Sequence, residues 1–220
     1  MTKRLYKKAE MNDSLSLYVE ELHANAEDKV FLDVVDETWE REHSFLQIPL
    51  SEAKFLSLFV KATKAKKVLE VGTFRGWSAA WITRALPQNG KLFTIDHDVR
   101  VESEARELWK KLLLTEKIDF KITKATEGLG DFKEKGEKFD LIFIDAGKSE
   151  YKEYLDLAYE ILDDGGVLLA DNTLWAGQAA DTDAESKAKY MQEFNEYVFQ
   201  KFKGQACLIP AWDGVVMVVK

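Results

Sequence analysis

Short apolar runs that are typical of buried strands alternate with helical patterns from Lys66 onward. Each run is rich in aliphatic, β-branched or aromatic residues, as expected for a strand that is covered on both faces. The predicted strands are KKVLEV (66–71), KLFTID (91–96), IDFKIT (118–123), FDLIFID (139–145) and GVLLAD (166–171). Between them, apolar residues recur at helical spacing, as at Val101, Ala105, Leu108 and Leu112. This alternation predicts right-handed βαβ crossovers and a parallel sheet with helices on both faces.

The end of the chain follows a different pattern. After a helical stripe at Phe194, Tyr197 and Val198, two β-rich runs, QACLIP and GVVMVV, are joined by AWDG. Asp213 and Gly214 are a hairpin signal, because both residue types tolerate positive φ in a tight turn. The sequence therefore predicts an α/β fold with a doubly wound, Rossmann-like, seven-stranded and mostly parallel sheet that ends in an antiparallel hairpin.

The segment before the first strand is helical in pattern. Two helical stretches are predicted over roughly 13–42, and SEAKFLSLFVKAT (51–63) forms another helix. The predicted N-cap of this last helix is Ser51. Its apolar stripe consists of Phe55, Leu58, Phe59 and Ala62. Because no repeat, linker or composition break appears, we expect one domain over 1–220, with a helical section at 1–65 and an α/β core at 66–220.

Composition and charge exclude several classes of protein. The chain has 220 residues, a net charge of −8 and 46% hydrophobic residues, which is ordinary for a globular domain. An acidic balance argues against a nucleic-acid binder, and no apolar run approaches the ~20 residues that span a bilayer. The basic N-terminus lacks the apolar region of a signal peptide, and Cys207 has no intrachain partner. We therefore expect a cytoplasmic protein that binds neither nucleic acids nor membranes.

Oxygen-bearing side chains follow two of the predicted strands. Asp145 ends the fourth strand, and Asp171 and Asn172 end the fifth. Because ligands bind beyond the carboxyl ends of parallel strands, these groups are expected at one edge, where they suit Mg²⁺, Ca²⁺ or Mn²⁺. Lys148 adds an amine three residues after Asp145. Taken singly, each acid could be a helix cap and Lys148 a solvated surface residue.

A glycine turn follows the first predicted strand in VLEVGTFRGWSAAW (68–81). Gly72 and Gly76 form a G-x-x-x-G spacing, which differs from the G-x-G-x-x-G that binds a dinucleotide pyrophosphate. Taken alone, the glycines could merely form a tight loop. Glu70 would repel a phosphate but suits a cationic amino-acid group, and Asp96 stands where such folds bind ribose hydroxyls. A cofactor with a ribose and no phosphate, S-adenosylmethionine, fits this combination.

These motifs together resemble the metal-dependent class I O-methyltransferases of the caffeoyl-CoA and catechol O-methyltransferase family. The resemblance runs from FLQIPLSEAKFL (45–56) to the closing DG hairpin, and its most specific part is FDLIFIDAGKSEY followed by DNTLWAG. It implies a cofactor site of residues near the strand ends and in the segment before the 51–63 helix. That site comprises Ile48, Glu70, Gly72, Thr73, Phe74, Ser78, Asp96, Ala125, Thr126 and Asp145.

The resemblance also implies roles within the site. Glu70, Gly72, Thr73 and Ser78 would hold the methionine part, Phe74 would line that pocket, and the backbone near Ile48 would close over it. Asp96 would bind the ribose, and Ala125 with Thr126 would frame the adenine. Asp145, Asp171 and Asn172 would bind a divalent cation. Lys148 and Asp145 would be the catalytic residues, with Lys148 as a base or an electrostatic helper. The family also implies a homodimer.

The acceptor is not fixed by these motifs. A phenol has a pKa near ~10, so a cation that stabilises the oxyanion would help its methylation. Trp175 and Trp212 could wall a phenolic ring. The loop at 178–189 lacks a basic pattern for a CoA phosphate, so a free catechol and a caffeoyl-type CoA ester both stay open. Two other classes remain: an NAD-linked Rossmann oxidoreductase, and a catalytically silent protein that binds S-adenosylmethionine.

Overall fold

The computed structural model describes residues 12–29, 31–34, 46–181 and 183–220. The strands are β1 Lys67–Val71, β2 Lys91–Asp96, β3 Ile118–Ile122, β4 Phe139–Ile144, β5 Leu162–Ala170, β6 Ala206–Ile209 and β7 Val215–Val219. The longer helices are α1 Asp13–Asn25, α2 Leu50–Thr63, α3 Trp77–Ala85, α4 Val99–Lys111, α5 Ala125–Glu134, α6 Tyr151–Ile161 and α7 Ser186–Lys201. Residues 31–34 are also helical, whereas the helix prediction for 35–42 lies outside the described residues.

The seven strands form one sheet in the order β3-β2-β1-β4-β5-β7-β6. The first five strands pair in parallel, and β7 runs antiparallel to both β5 and β6. The predicted doubly wound sheet with a C-terminal antiparallel hairpin is therefore confirmed. The order reverses between β1 and β4, which creates the crevice at which ligands bind in such sheets.

Alternate strand residues supply two apolar layers, one on each face of the sheet. On one face, Leu141 packs in a cluster with Trp81 of α3 and Trp109 of α4. On the other, the adjacent Ile142 packs in a cluster that includes Phe194 of α7. Because side chains of a strand point alternately to opposite faces, strands this apolar require helices on both sides. Among the described residues, no helix combines the length and the apolar character needed to cross a membrane.

The predicted stripe of α2 is wrong in part. Leu58 is 53% exposed and Ala62 is exposed, whereas Leu56 and Val60 are fully buried. The helix begins one residue earlier than predicted, with Pro49 as its N-cap, and Ser51 lies inside its first turn. Phe55 and Phe59 do pack against the core. The buried face also takes in the polar side chains of Ser51, Glu52 and Ser57, so a search for apolar residues alone found only part of that face.

The hairpin is also wider than predicted. Residues 210–214 connect β6 to β7, and the positive φ angles belong to Trp212 (52°) and Gly214 (85°), not to Asp213. The loop is shaped by packing on the segment after β5, because the N–H of Leu174 donates to the carbonyl oxygen of Asp213 at 2.8 Å. A Cβ atom on Gly214 would come within 2.5 Å of Leu174. Tertiary contact therefore overrides the two-residue turn.

Candidate active site

A cavity of about 1370 Å³ opens at the carboxyl ends of the parallel strands, where β1 and β4 meet. Its wall is formed by the loops after the parallel strands, the residues leading into α2, the start of α7 and the tip of the hairpin. Sites for one drug-sized molecule usually measure about 300–1,000 Å³. The cavity is therefore large enough for a cofactor and a second small molecule side by side.

Gly72 is required where the loop after β1 passes the end of β4. Its φ is +100°, and a Cβ atom placed on it would lie 1.9 Å from the carbonyl oxygen of Asp145. The N–H of Asp145 in turn donates to the carbonyl oxygen of Val71 at 2.8 Å. A side chain at Gly72 would push these two strand ends apart, so glycine lets the predicted cofactor loop and the predicted metal ligand lie in contact.

Asp96 braces the same glycine loop. Its Oδ2 accepts hydrogen bonds from the backbone N–H groups of Thr73 at 3.0 Å and Phe74 at 2.8 Å. Its Oδ1 accepts one from the N–H of Asp98 at 2.9 Å. The carboxylate lines the cavity, so the residue predicted to bind the ribose also holds Phe74 in its positive-φ conformation of 47°.

Glu70 lies behind the cavity wall and is fully buried. Its carboxyl group accepts hydrogen bonds from Ser78 Oγ at 2.5 Å and Thr94 Oγ1 at 2.6 Å. Burial raises the pKa of Glu70 to about 8, although these two hydrogen bonds act in the opposite direction. Ser78 lines the cavity and Glu70 does not, so Glu70 supports the predicted methionine site from one layer further back.

The remaining predicted cofactor residues fall into two groups. Ile48 lies at the cavity wall and is fixed there, because Trp77 Nε1 donates to its carbonyl oxygen at 2.9 Å. Ala125 begins α5 and also lines the cavity. Thr126, which follows it on the helix, is half-buried but is not part of the cavity wall.

Lys148 sits at the start of a short 3₁₀ turn, Lys148–Glu150, that precedes α6. Its Nζ donates to Asp145 Oδ1 at 2.7 Å and to the hydroxyl oxygen of Tyr151 at 2.6 Å. Burial alone would lower the pKa of Lys148, but the charge of Asp145 and the Tyr151 hydroxyl outweigh it and hold that pKa above its usual range. The amine is thus a buried cation next to a carboxylate.

Tyr151 ties the two acidic strand ends together. Besides accepting from Lys148, it can donate its hydroxyl proton to the carbonyl oxygen of Asp171 at 3.2 Å. The side chain is fully buried and packs edge-on against Phe194. The spacing of three residues between Lys148 and Tyr151 was the available signal for a polar contact.

Asp171 and Asn172 follow β5 in register with Asp145, because the N–H of Asp171 donates to the carbonyl oxygen of Ile144 at 3.0 Å. Asp171 is 2% exposed, and Asn172 has a φ of 58° and lines the cavity. Burial, and then the charge of Asp145, raise the pKa of Asp171. Hard oxygen donors converge here, and the buried Oδ1 of Asp171 has no hydrogen-bond partner among the described residues. This donor set fits a divalent cation.

The number of acidic groups sets the form of such a site. Among the described residues, no group of three or more His, Cys, Asp or Glu side chains is arranged to hold a metal ion. A cation bound by Asp145 and Asp171 would therefore depend on two carboxylates and on the amide oxygen of Asn172, with water in its other positions.

Sequence reasoning missed Glu52, which approaches Asp171 from the first turn of α2. Its side chain is 2% exposed and faces the cavity. Burial, followed by the charges of Asp171 and Asp145, raises the pKa of Glu52. The sequence held no signal for this contact, because an acid in the first turn of a helix is ordinary helix chemistry.

Two tryptophans line the same cavity as the acidic side chains of Asp145, Asp171 and Glu52. Trp175 is half-buried with a φ of 48°, and Lys187 Nζ lies 5.5 Å from its ring centre. Trp212 donates from Nε1 to Ser51 Oγ at 2.8 Å, and its ring lies 5.2 Å from that of Phe55. Both indoles line the cavity, and Trp212 in addition anchors the start of α2.

Known proteins resemble the chain over most of its length. A profile of the O-methyltransferase family matches residues 20–220. A catechol O-methyltransferase of Niastella koreensis is 32% identical over 177 residues, which cover 80% of each chain. A caffeoyl-CoA O-methyltransferase of Populus kitakamiensis is 31% identical over 183 residues, which cover 79% of this chain and 78% of the relative.

The fold has close counterparts among solved structures. The O-methyltransferase TomG from Streptomyces achromogenes, solved in complex with SAM, superposes with a TM-score of 0.82. The match covers 92% of this chain and 96% of TomG, at 24% identity. With the two relatives at 31% and 32% identity and a profile match over residues 20–220, the chain belongs to the O-methyltransferase family, together with catechol and caffeoyl-CoA O-methyltransferases.

Proposed function

We propose that the protein transfers the methyl group of S-adenosylmethionine to a hydroxyl of a catechol-type or caffeoyl-type phenol, assisted by a divalent cation. The observation that carries the proposal is the contact between two half-sites at the switch point. The glycine loop after β1 touches the backbone of Asp145, and Asp145 lies in the same cavity as Lys148, Asp171 and Asn172. A methyl donor on one side would therefore face an acceptor oxygen on the other.

The cofactor half is supported by the polar groups around the glycine loop. Ser78 and the backbone near Ile48 would bind the methionine end, and Asp96, at the end of β2, would meet the ribose. The cavity wall at Ala125 would border the adenine. The bound SAM of the structurally similar TomG supports the same ligand here. Since the sulfonium methyl is already activated, the enzyme mainly has to align oxygen, carbon and sulfur.

The acceptor half is supported by the oxygen donors at the ends of β4 and β5. Asp145, Asp171 and Asn172 would hold Mg²⁺, Ca²⁺ or Mn²⁺. When bound, the cation supplies acidification of a hydroxyl and chelation of two adjacent hydroxyls. Because Lys148 is a buried cation that Asp145 and Tyr151 hold in place, we propose that it places positive charge beside the developing oxyanion.

The aromatic walls support a planar acceptor. Trp175 and Trp212 would enclose a phenolic ring whose hydroxyls point to the carboxylates of Asp145 and Asp171. The two relatives act, by name, on a catechol and on a caffeoyl-CoA ester, and both classes remain candidates here. We further propose a cytoplasmic homodimer, on the family resemblance; light scattering after gel filtration would test the dimer.

A methylation assay tests the function. The protein is incubated with SAM labelled in its methyl group, with Mg²⁺ or with a chelator, and with catechol, caffeate or caffeoyl-CoA. We expect Mg²⁺-dependent labelling of at least one phenol and its loss in Lys148→Ala. Mass spectrometry of the product then identifies the methylated oxygen.

Binding measurements distinguish the possible causes of a negative methylation assay. Lys148→Ala should bind SAM nearly as tightly as the wild type, because Lys148 contacts Asp145 and Tyr151 rather than the glycine loop. Cofactor binding without turnover on any phenol would mean a silent SAM-binding protein. Binding of NAD in place of SAM would overturn the cofactor assignment.

A further inference from the structure

Glu52 is a buried acid that the proposed reaction leaves without a role. It lies in the first turn of α2, with a side chain that is 2% exposed and that borders the cavity. Among the described residues, no donor group reaches its Oε1 or Oδ1 of Asp171, and the two carboxyl groups lie close enough to share a proton. Two buried carboxyl oxygens that face each other repel unless a proton or a cation lies between them.

The neighbouring cations are already engaged elsewhere. Lys148 donates to Asp145 and Tyr151. Lys54, two residues after Glu52 on the same helix, donates to Glu27 at 2.5 Å. An uncompensated buried acid is costly to a fold, so either a shared proton or a cation admitted through the cavity must compensate the pair.

We propose that Glu52 contributes its carboxylate to the binding of the divalent cation, from the side of α2 and through the water shell of the ion. The inference rests on the proposed metal site at Asp145, Asp171 and Asn172 and extends it to a helix outside the sheet. A role through water follows from the absence of a three-acid metal group among the described residues. Mg²⁺ keeps several waters in protein sites, and groups that bind such waters strengthen the site.

The helix that carries Glu52 is held in a fixed position. Trp77 donates to the carbonyl oxygen of Ile48 just before α2, and Trp212 donates to Ser51 inside it. The carboxylate of Glu20 accepts from the N–H of Ser51, at 3.3 Å to one oxygen and 3.2 Å to the other. Contacts from α1, α3 and the hairpin thus fix the start of the helix that carries Glu52 before any ion arrives, as an effective outer ligand needs.

Metal affinity in the absence of turnover tests the proposal. Mn²⁺ binding is measured from the electron paramagnetic resonance signal of the free ion, with S-adenosylhomocysteine present, for wild type, Glu52→Gln, Glu52→Asp and Asp171→Asn. Glu137→Gln is the control, because it makes the same substitution at an acid that pairs with Lys67 at the opposite end of the sheet and does not line the cavity. We expect about tenfold or greater weakening in Glu52→Gln, as for other outer-shell partners, a smaller loss in Glu52→Asp, and wild-type affinity in Glu137→Gln.

Thermal unfolding supplies a second measurement and a check of folding. In Glu52→Gln the amide can donate to Oδ1 of Asp171, so the metal-free protein should melt at or above the wild-type temperature while its shift with Mn²⁺ shrinks. If Glu52→Gln binds Mn²⁺ as tightly as the wild type, a proton alone holds the two acids together and the inference fails. If wild type and Asp171→Asn both fail to bind Mn²⁺, the proposed metal site itself is wrong.

Discussion

The substitution Glu70→Gln separates the stability of the cofactor loop from its function. In the fold the pKa of Glu70 is about 8, against a usual value of 4.5, because the carboxyl is fully buried. At pH 7 the unfolded chain has released this proton and the folded chain mostly holds it. Between pH 4.5 and pH 8, this difference lowers the free energy of unfolding by 1.36 kcal/mol for each pH unit. At pH 7 the loss is about 3 kcal/mol relative to a side chain that never ionises.

The sign of the effect is opposite to that of an ion-paired acid. Because the pKa is raised, the contribution of Glu70 to stability is complete below about pH 4.5 and is lost as the pH rises towards 8. Glutamine keeps the shape and stays neutral. Its amide oxygen can accept from Ser78, and its amide nitrogen can donate to Thr94, whose hydroxyl lies 2.6 Å from that of Thr73.

Urea unfolding without cofactor at pH 5, 7 and 8 measures the effect. We expect the free energy of unfolding of Glu70→Gln to exceed that of the wild type by about 1 kcal/mol or less at pH 5 and by about 3 kcal/mol at pH 7. SAM should bind the variant more weakly, because a bound cationic amino group favours the ionised form of Glu70, which glutamine cannot adopt. An equal difference in free energy of unfolding at all three pH values would refute the assigned cause.

Three further changes test other contacts. Glu27→Gln should lower the free energy of unfolding by about 2 kcal/mol at pH 7, and by progressively less as the pH falls from 4.5 towards 2. The reason is that burial of Glu27 is outweighed by hydrogen bonds from Lys54, Arg84 and the backbone, which lower its pKa to about 2. Urea unfolding at pH 7 and pH 3 measures the loss, and a loss that does not change with pH would contradict this cause. Gly72→Ala should lower the free energy of unfolding by about 2–4 kcal/mol and remove most of the SAM affinity, because its Cβ would lie 1.9 Å from a backbone oxygen. If titration calorimetry shows that the variant binds SAM almost as tightly as the wild type, that clash does not occur. Tyr151→Phe should lower kcat about tenfold with little change in KM, since the hydroxyl holds the amine of Lys148; steady-state kinetics that instead show only a raised KM would assign Tyr151 to substrate binding.

The strand ends were predictable because a parallel sheet places them side by side. The sequence located Gly72, Asp96, Asp145 and Asp171 at the ends of buried runs, and backbone hydrogen bonds join these ends in the structure, as from Gly72 to Ile95 at 2.9 Å. Right-handed crossovers decide on which face of the sheet each connecting helix packs. Apolar pattern and chain direction therefore sufficed for the acidic edge of the site.

Contacts made by helices were not predictable in the same way. A helix stripe shows which side is apolar, but α2 buries Ser51 and Glu52 as well as Leu56, because the cavity wall that it forms is itself polar. Which polar residue faces inward depends on the rotation of the helix, and distant partners set that rotation. The sequence offered no local signal for partners that lie far apart along the chain.

Those partners give Trp212 a second role besides walling the cavity. Its indole, at the tip of the C-terminal hairpin, donates to Ser51 and packs on Phe55, both on α2. Trp77, from α3, fixes Ile48 just before that helix. Because Ser51, which Trp212 holds, lies between Ile48 and Glu52 along the chain, a shift of the hairpin would move the methionine end of the cofactor site and the acid that faces Asp171 together. The hairpin that closes the sheet thus couples the two halves of the proposed site through one helix, and substitutions at its tip should change cofactor and metal affinity in parallel.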